Sequence, residues 1–409
     1  MRLAIGETVL GRLSKSQWVS AFVLAIVLVV TSPSLFAWKE VLKERAIEGV
    51  EGITETRWQL ERPRGDARDR IQVHRYRGSG AARAALLYLP GMHMNGYLPG
   101  RRGEVIYADP TEAHNLWLFL ARHGVEVFTL DYRSHFVPVE PADHAFMREW
   151  TLERYVDDAK EALSLVRGES ERAQVFVAGF SMGVTLAYGV VNITSKEELA
   201  GLIVLDGSFK QPPGGRSFDR ARAMAMIEKL GRWSIDVAGG IGWDNRQQLM
   251  ETIIIDPNQP REDRPDETVG ERLTRLLARR GRGTWANVGV HSDAQVLAAL
   301  LIGYDRYFPT MVGLQSGGVS SLENDPTTAV DDAFGHSDVP VIYFGATGFG
   351  PQALLSGIYS AARLGTRDVT IHVQEGWGHL EVLVANRARQ EIYERLLDWL
   401  DAHAVDEKE

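Results

Sequence analysis

The five residues Gly179-Phe180-Ser181-Met182-Gly183 constrain this chain more than any other stretch, because of what flanks them. Before them runs Gln174-Val175-Phe176-Val177-Ala178, short, apolar and rich in β-branched and aromatic residues, which predicts a buried strand. After them runs Val184-Thr185-Leu186-Ala187-Tyr188-Gly189-Val190-Val191, long enough for a buried helix. A G-x-S-x-G between a strand and a helix sets the serine at the tip of a sharp, strained turn, with its hydroxyl presented outward. The glycines let neighbouring backbone pass where a Cβ would clash. Ser181 is therefore the candidate nucleophile.

A serine hydroxyl is a poor nucleophile until a base takes its proton, so a histidine must be brought to it. Gly376-Trp377-Gly378-His379-Leu380 follows the apolar stretch Val369-Thr370-Ile371-His372-Val373, and its glycines allow a loop that swings an imidazole across. His379 is the candidate base. The third member is a carboxylate that orients the imidazole. The loop after the strand Val341–Phe344 reads Gly345-Ala346-Thr347-Gly348-Phe349-Gly350-Pro351-Gln352 and holds no acid. Asp206, which ends the strand Leu199–Leu205, is the first choice. Asp331, Asp332 and Asp338 are alternatives, with Glu375 and Glu381 behind them. Two backbone N–H donors for an oxyanion are expected from Met182, directly after the nucleophile, and Met92, behind Pro90-Gly91. His93 and Phe180 are candidate substrate contacts.

The remaining sequence fits around these residues. Trp58–Arg62 and Ile71–Tyr76 alternate as half-exposed strands, and Ala84–Leu89 and Val125–Leu130 read as buried ones. Helices are expected over Ala113–Arg122, closed by Gly124, and over Leu152–Val166. Strands alternating with helices predict a mostly parallel sheet covered on both faces. From Gly207 to about Asp338 that rhythm breaks. Helical patterns lie near Arg220–Ile235 and Arg246–Ile255, a stretch of mixed charge runs from Arg261 to Arg282, and Trp233, Trp243, Trp285, Tyr304, Tyr307 and Phe308 are scattered between. The interspersed signs make the charged stretch a solvated surface rather than a binding patch. The sheet rhythm returns at Val339–Gly345, and an amphipathic helix is expected from Glu381 to Ala402.

These residues resemble the α/β-hydrolase fold superfamily. The resemblance covers about Arg57–Gly207 and Val339–Ala402. It rests on Pro90-Gly91 after a strand, on Asp131-Tyr132-Arg133-Ser134-His135, on Gly179–Gly183 and on Gly378-His379. Many members carry D-x-R-G-H-G at the second element; here Ser134 and Phe136 replace the glycines. The resemblance implies an α/β fold, a mostly parallel sheet flanked by helices, with a largely helical cap inserted. In certain lipases and dehalogenases of this superfamily the acid follows the preceding strand, an arrangement Asp206 matches. A serine at the elbow disfavours dehalogenase and epoxide-hydrolase chemistry. The expected layout is a core over 38–206 and 339–402, a cap over 207–338 and a tail over 403–409.

Composition narrows the surroundings. A formal charge of −9 with no basic stripe excludes a nucleic-acid partner as the expectation. Without cysteine there is no disulfide, thiolate nucleophile or cysteine metal site, and the chemistry above calls for no cofactor and no metal. Arg2, Arg12 and Lys15 precede thirteen apolar-rich residues, Trp18–Val30, and Ala37 offers a cleavage point. Thirteen is the length of an export signal's core and short of the roughly 20 that span a bilayer. Residues 1–37 are expected to be a signal that exports the protein to a periplasmic or secreted location. The alternative is retention as a membrane anchor over residues 18–38.

The leading expectation is a serine hydrolase acting on carboxylic esters with apolar acyl or aromatic groups, small molecules that would sit under the aromatic cap. An amidase or peptidase with the same triad, and a catalytically silent binding protein on the same fold, are the alternatives.

Overall fold

The computed structural model of the protein describes residues 37–61, 69–141, 143–170, 173–194, 198–215, 217–238, 241–278 and 291–404. The expected export signal, Trp285 and part of the Arg261–Arg282 stretch lie outside them.

Nine strands form the central sheet: β1 (Lys39–Ala46), β2 (Thr54–Glu61), β3 (Arg70–Arg77), β4 (Ala84–Leu89), β5 (Val125–Asp131), β6 (Gln174–Phe180), β7 (Gly201–Leu205), β8 (Val341–Ala346) and β9 (Val369–Gln374). Their order is β1-β2-β3-β5-β4-β6-β7-β8-β9. From β5 to β9 all neighbours are parallel, and β1, β2 and β3 add an antiparallel flank. Strands β4, β5, β7 and β8 are buried at every position. Parallel strands covered on both faces lose the polar alternation of half-exposed ones, which is why these read as continuous apolar runs.

Helices α1 (Leu116–Arg122), α2 (Leu152–Glu169) and α3 (Met182–Asn192) follow β4, β5 and β6 in turn. Asn115 caps α1 by accepting from the N–H groups of Trp117 and Leu118, and Gly124, at φ +78°, ends it. After β8 come α9 (Pro351–Ala362) and, past β9, α10 (Glu381–Val384) and α11 (Glu394–His403). The expected continuous helix over Glu381–Ala402 is broken. Ala385 is extended (ψ 151°) because the Asn386 N–H leaves the helix to donate to the His291 carbonyl at 2.7 Å.

The insert between β7 and β8 carries α4 (Arg220–Leu230), α5 (Trp243–Ile255), α6 (Val269–Ala278), α7 (Ala294–Ile302) and α8 (Thr310–Ser321). The helix expected to run to Ile235 stops at Leu230, where Gly231 takes the left-handed conformation. Residues Ser234–Asp236 instead pair with Tyr307–Pro309 in a two-stranded ribbon. The charged stretch is a loop and α6 laced by ion pairs of Arg261 with Asp263 and Glu267, and of Arg275 with Glu267. The insert shares its apolar side chains with the core: Met250, Leu273 and Ala298 join one cluster with Phe180 and Leu380. Val312 and Val319 join a second with Tyr155 and Tyr188.

Candidate active site

The turn between β6 and α3 exists because two glycines permit it. A Cβ on Gly183 would lie 1.9 Å from the Leu89 carbonyl oxygen, and one on Gly179 would lie 2.4 Å from the Gly183 oxygen. Ser181 between them is held at φ 55°, ψ −119°. Among the described residues only three non-glycines have positive φ: Ser181, Asp206 at 45° and His93 at 65°. All three belong to one site. Such conformations cost roughly 1–3 kcal/mol each and persist where the surroundings over-determine them.

Asp206 follows β7, beside β8, and is buried. Its Oδ2 lies 2.7 Å from His379 Nδ1, and its Oδ1 accepts from the Ala346 N–H at 2.8 Å. The acid-free loop after β8 thus supplies a backbone donor that aims the carboxylate, rather than a carboxylate of its own. Burial pushes the Asp206 carboxyl up, while the bonds from His379 and Ala346 pull the other way.

The imidazole of His379 is fixed by stacking as well. Phe349 lies against it at 3.8 Å between centroids and 11°, Phe180 at 4.6 Å and 21°. Its loop is braced by Glu381, which is fully buried and accepts from the Gly378 and His291 N–H groups, each at 2.7 Å. That bracing role was not legible in sequence; a glutamate opening a helix reads as an ordinary cap. The other acids lie elsewhere. Asp331 pairs with buried Lys210 and accepts from the Asp325 N–H, Asp332 is exposed and accepts from Asn324, and Asp338 and Glu375 are exposed.

Residues Pro90–Gly96, after β4, form the facing wall, and their backbone is tied down from several sides. Tyr132 Oη donates to the Pro90 carbonyl at 2.8 Å, and the Asp305 N–H to the His93 carbonyl at 2.7 Å. The Gly96 N–H donates to Asp131 Oδ1 at 2.6 Å, and the Asn95 amide reaches the Gly303 carbonyl at 2.7 Å. His135 Nδ1 lies 2.9 Å from Asp305 Oδ1. Residues 131–135, picked out by motif, therefore hold this loop: Asp131, Tyr132 and His135 secure it, while Arg133 grips Asp158 on α2 with two bonds of 2.5 and 2.6 Å. Burial opposes the charged His135 imidazole, yet Asp131 and Asp305 outweigh it and raise it to about 9.

A cleft of about 880 Å³ opens between this wall and the insert. Ser181, His379, Met92, His93 and Phe180 line it with Leu249, Met250 and Leu273 from the insert. Met182 opens α3 behind Ser181, where the first turn of a helix leaves its N–H without an intrahelical acceptor. Of the scattered aromatics, Tyr304 lines the cleft, whereas Phe308, Tyr307 and Trp233 pack into the second core cluster.

Residues 112–292 match the model of a family described as serine aminopeptidase, S33. The chain is also similar in structure to a protein of Sulfolobus solfataricus that bears a provisional description as a lipase. The TM-score is 0.73 at 25% identity, over 90% of this chain and 99% of that one. A soluble variant of monoglyceride lipase from Saccharomyces cerevisiae, solved with a substrate analog, aligns with a TM-score of 0.46 at 13% identity, over 90% and 96%. The monoacylglycerol lipase of Paleococcus ferrophilus aligns with 0.46 at 14%, over 81% and 99%. No curated protein matches the chain in sequence. A parallel sheet aligned over nearly the full length of both chains, together with the family match over residues 112–292, places the protein in the α/β-hydrolase fold superfamily as a serine hydrolase of the carboxylesterase and lipase type.

Proposed function

We propose that the protein hydrolyses carboxylic esters with apolar acyl or aromatic groups through Ser181, His379 and Asp206. The observation that carries this reading is the 2.7 Å Asp206–His379 contact at the edge of a cleft that Ser181 also lines. Asp206 accepts the Nδ1–H of His379, so the free ring nitrogen is the basic one. That nitrogen takes the Ser181 proton as Oγ attacks the ester carbonyl. The N–H groups of Met92 and Met182 receive the oxyanion. Collapse of the tetrahedral intermediate expels the alcohol, protonated by His379, and leaves an acyl group on Ser181. Water, activated by the same imidazole, releases the acid and restores the serine. The apolar cleft favours a chain or ring over a highly charged substrate.

Labelling of the purified protein by a fluorophosphonate, together with turnover of 4-nitrophenyl butyrate, tests the proposal. Absence of both would leave the silent binding protein as the better reading. The family description favours a second reading, an aminopeptidase, to be tested with aminoacyl 4-nitroanilides. Against it, among the described residues that line the cleft the charge apart from the histidines is a cation, Arg246, which repels a protonated amino terminus.

Residues 1–37 are proposed to act as a removable export signal, with 18–38 as an anchor if uncleaved. Among the described residues no helix is long and apolar enough to cross a membrane.

A further inference from the structure

Hydrolysis of a plain apolar ester makes no use of Arg246. This residue sits on α5, is only 6% exposed, and lines the same cleft as Ser181. Among the described residues no carboxylate lies within 4 Å of its guanidinium. Its Nη2 donates to the Leu301 carbonyl at 2.9 Å, and the Gln247 side chain, with its amide turned to satisfy its neighbours, accepts from Nη1 at 3.2 Å. A guanidinium carries five N–H donors, so these bonds leave donors over.

The local charge does not neutralise it. Arg102 approaches the same ring: both guanidinium groups lie against Trp243, at 5.1 and 5.6 Å from its centroid. Tyr304 adds a second ring at 5.8 Å. The carbonyl at the end of α7 contributes only the partial negative charge of a helix terminus. Burial pushes the guanidinium down to about 10, still charged at neutral pH. Asp236 acts on Arg246 only from beyond contact distance and is itself paired with Arg306 at 3.3 Å. A buried cation without a contacting counter-ion is disfavoured unless something pairs with it.

A second polar atom in the cleft lacks a partner. His93 Nδ1 is buried and finds no hydrogen bond among the described residues. Burial lowers this imidazole to about 4 despite a backbone bond at Asp305, so it is neutral, and it is the Nδ1–H tautomer that can donate to an anion. Arg246 is near enough to depress it further.

We infer that Arg246 and His93 form an anion subsite inside the cleft, and that the preferred esters carry a carboxylate or phosphate on an apolar chain, away from the bond that is cut. Arginine suits both anions because its planar fork donates two parallel bonds. The inference rests on the serine-hydrolase reading for the word ester, and on the cleft alone for the anion.

Binding to the full-length Ser181→Ala protein separates the two. By calorimetry, monomethyl suberate should bind at least tenfold more tightly than dimethyl suberate. Adding Arg246→Gln should bring the two within about threefold. Arg246→Lys keeps the charge and a donor for Leu301 but not the fork, and should leave a preference reduced at least threefold. Octyl phosphate in place of the half-ester tells phosphate from carboxylate by which binds more tightly. Equal binding of the half-ester and the diester, binding of neither, or a preference that survives unchanged in folded Arg246→Gln or Arg246→Lys protein would overturn the subsite. A wild-type enzyme that leaves 4-nitrophenyl butyrate intact bears on the catalytic reading, whereas the calorimetry is read without turnover.

Discussion

Asp206 and His379 are 173 residues apart in the chain and 2.7 Å apart in space. The sheet brings them together: β7 and β8 are parallel neighbours, so their carboxyl ends share one rim, and the loop after β9 reaches back over it. The Ala346 N–H then fixes which carboxylate oxygen faces the ring.

Replacing Asp206 by Asn should keep the fold, since an amide oxygen still accepts from Ala346, but lower kcat by roughly 10²–10⁴ by favouring the wrong imidazole tautomer. Asp332→Asn and Asp338→Asn should leave kcat near the wild-type value. Asp331→Asn should leave kcat per folded molecule alike yet destabilise the protein by about 3–5 kcal/mol, because buried Lys210 loses its counter-charge. Ester kinetics beside urea melts check all four; a kcat loss confined to Asp331→Asn would move the acid to the insert.

Ser181→Ala should lower kcat on the order of 10⁴–10⁶. Ser181→Gly should be as inactive and more stable than Ser181→Ala by about 1 kcal/mol, because glycine accepts φ 55° without strain. Equal stabilities of the two variants would mean that the turn is not strained.

His379→Ala should cost about as much as Ser181→Ala, and the double variant should match either single one, since the two act as a unit. A double variant many-fold slower than both would show that they work separately.

The His135–Asp305 pair predicts a pH dependence of stability. Against burial, and against Arg70, Asp131 and Asp305 raise the folded His135 to about 9 from an ordinary value near 6.5. A raised pKa stabilises the fold fully below the unfolded value, and the contribution is lost as pH rises through the folded one. The excess Tm of wild type over His135→Gln should be largest below about pH 6.5 and fade towards pH 9. An excess that grows with pH would reverse the assignment.

Residues 38–409 should fold and turn over ester without the leader, because the first described strand, β1, begins at Lys39. Removal of β1 as well should expose the edge of β2 and promote aggregation. N-terminal sequencing of protein recovered from its native host decides cleavage; an intact Met1 in the membrane fraction would favour the anchor.

Sequence revealed the parts of the fold where burial is complete. Strands β4 to β8 stood out because both faces are covered, leaving unbroken apolar runs. β1 (Lys39–Ala46) did not, since it is a charged edge held by backbone pairing and by ion pairs of Arg45 with Glu55 and Glu104, without an apolar alternation. Helix α7, Ala-Gln-Val-Leu-Ala-Ala-Leu-Leu-Ile, is apolar nearly all round and so carries no periodic signature. The break at Ala385 comes from a carbonyl 94 residues upstream in the fold's contacts, His291, and no local glycine or proline announces it. In the candidate site, Ser181 and His379 are framed by glycines that the backbone needs. Asp206 could be reached only by finding no acid in the loop after β8. Arg246 was invisible in an insert rich in arginine, because what distinguishes it is the want of a carboxylate partner.

The insert between β7 and β8 also sets the order in which the molecule can assemble. During synthesis β7 emerges as an apolar strand whose β8 neighbour is still unmade, and residues 207–338 must pass before it arrives. At roughly 5–20 residues per second, that unpaired edge persists for about 7–26 seconds. Throughout that interval the proposed nucleophile and acid, Ser181 and Asp206, exist without the proposed base, His379, which comes with the final strand and loop. On the proposed roles, a nascent chain is therefore both the most aggregation-prone form of this protein and a chemically silent one until His379 has been made.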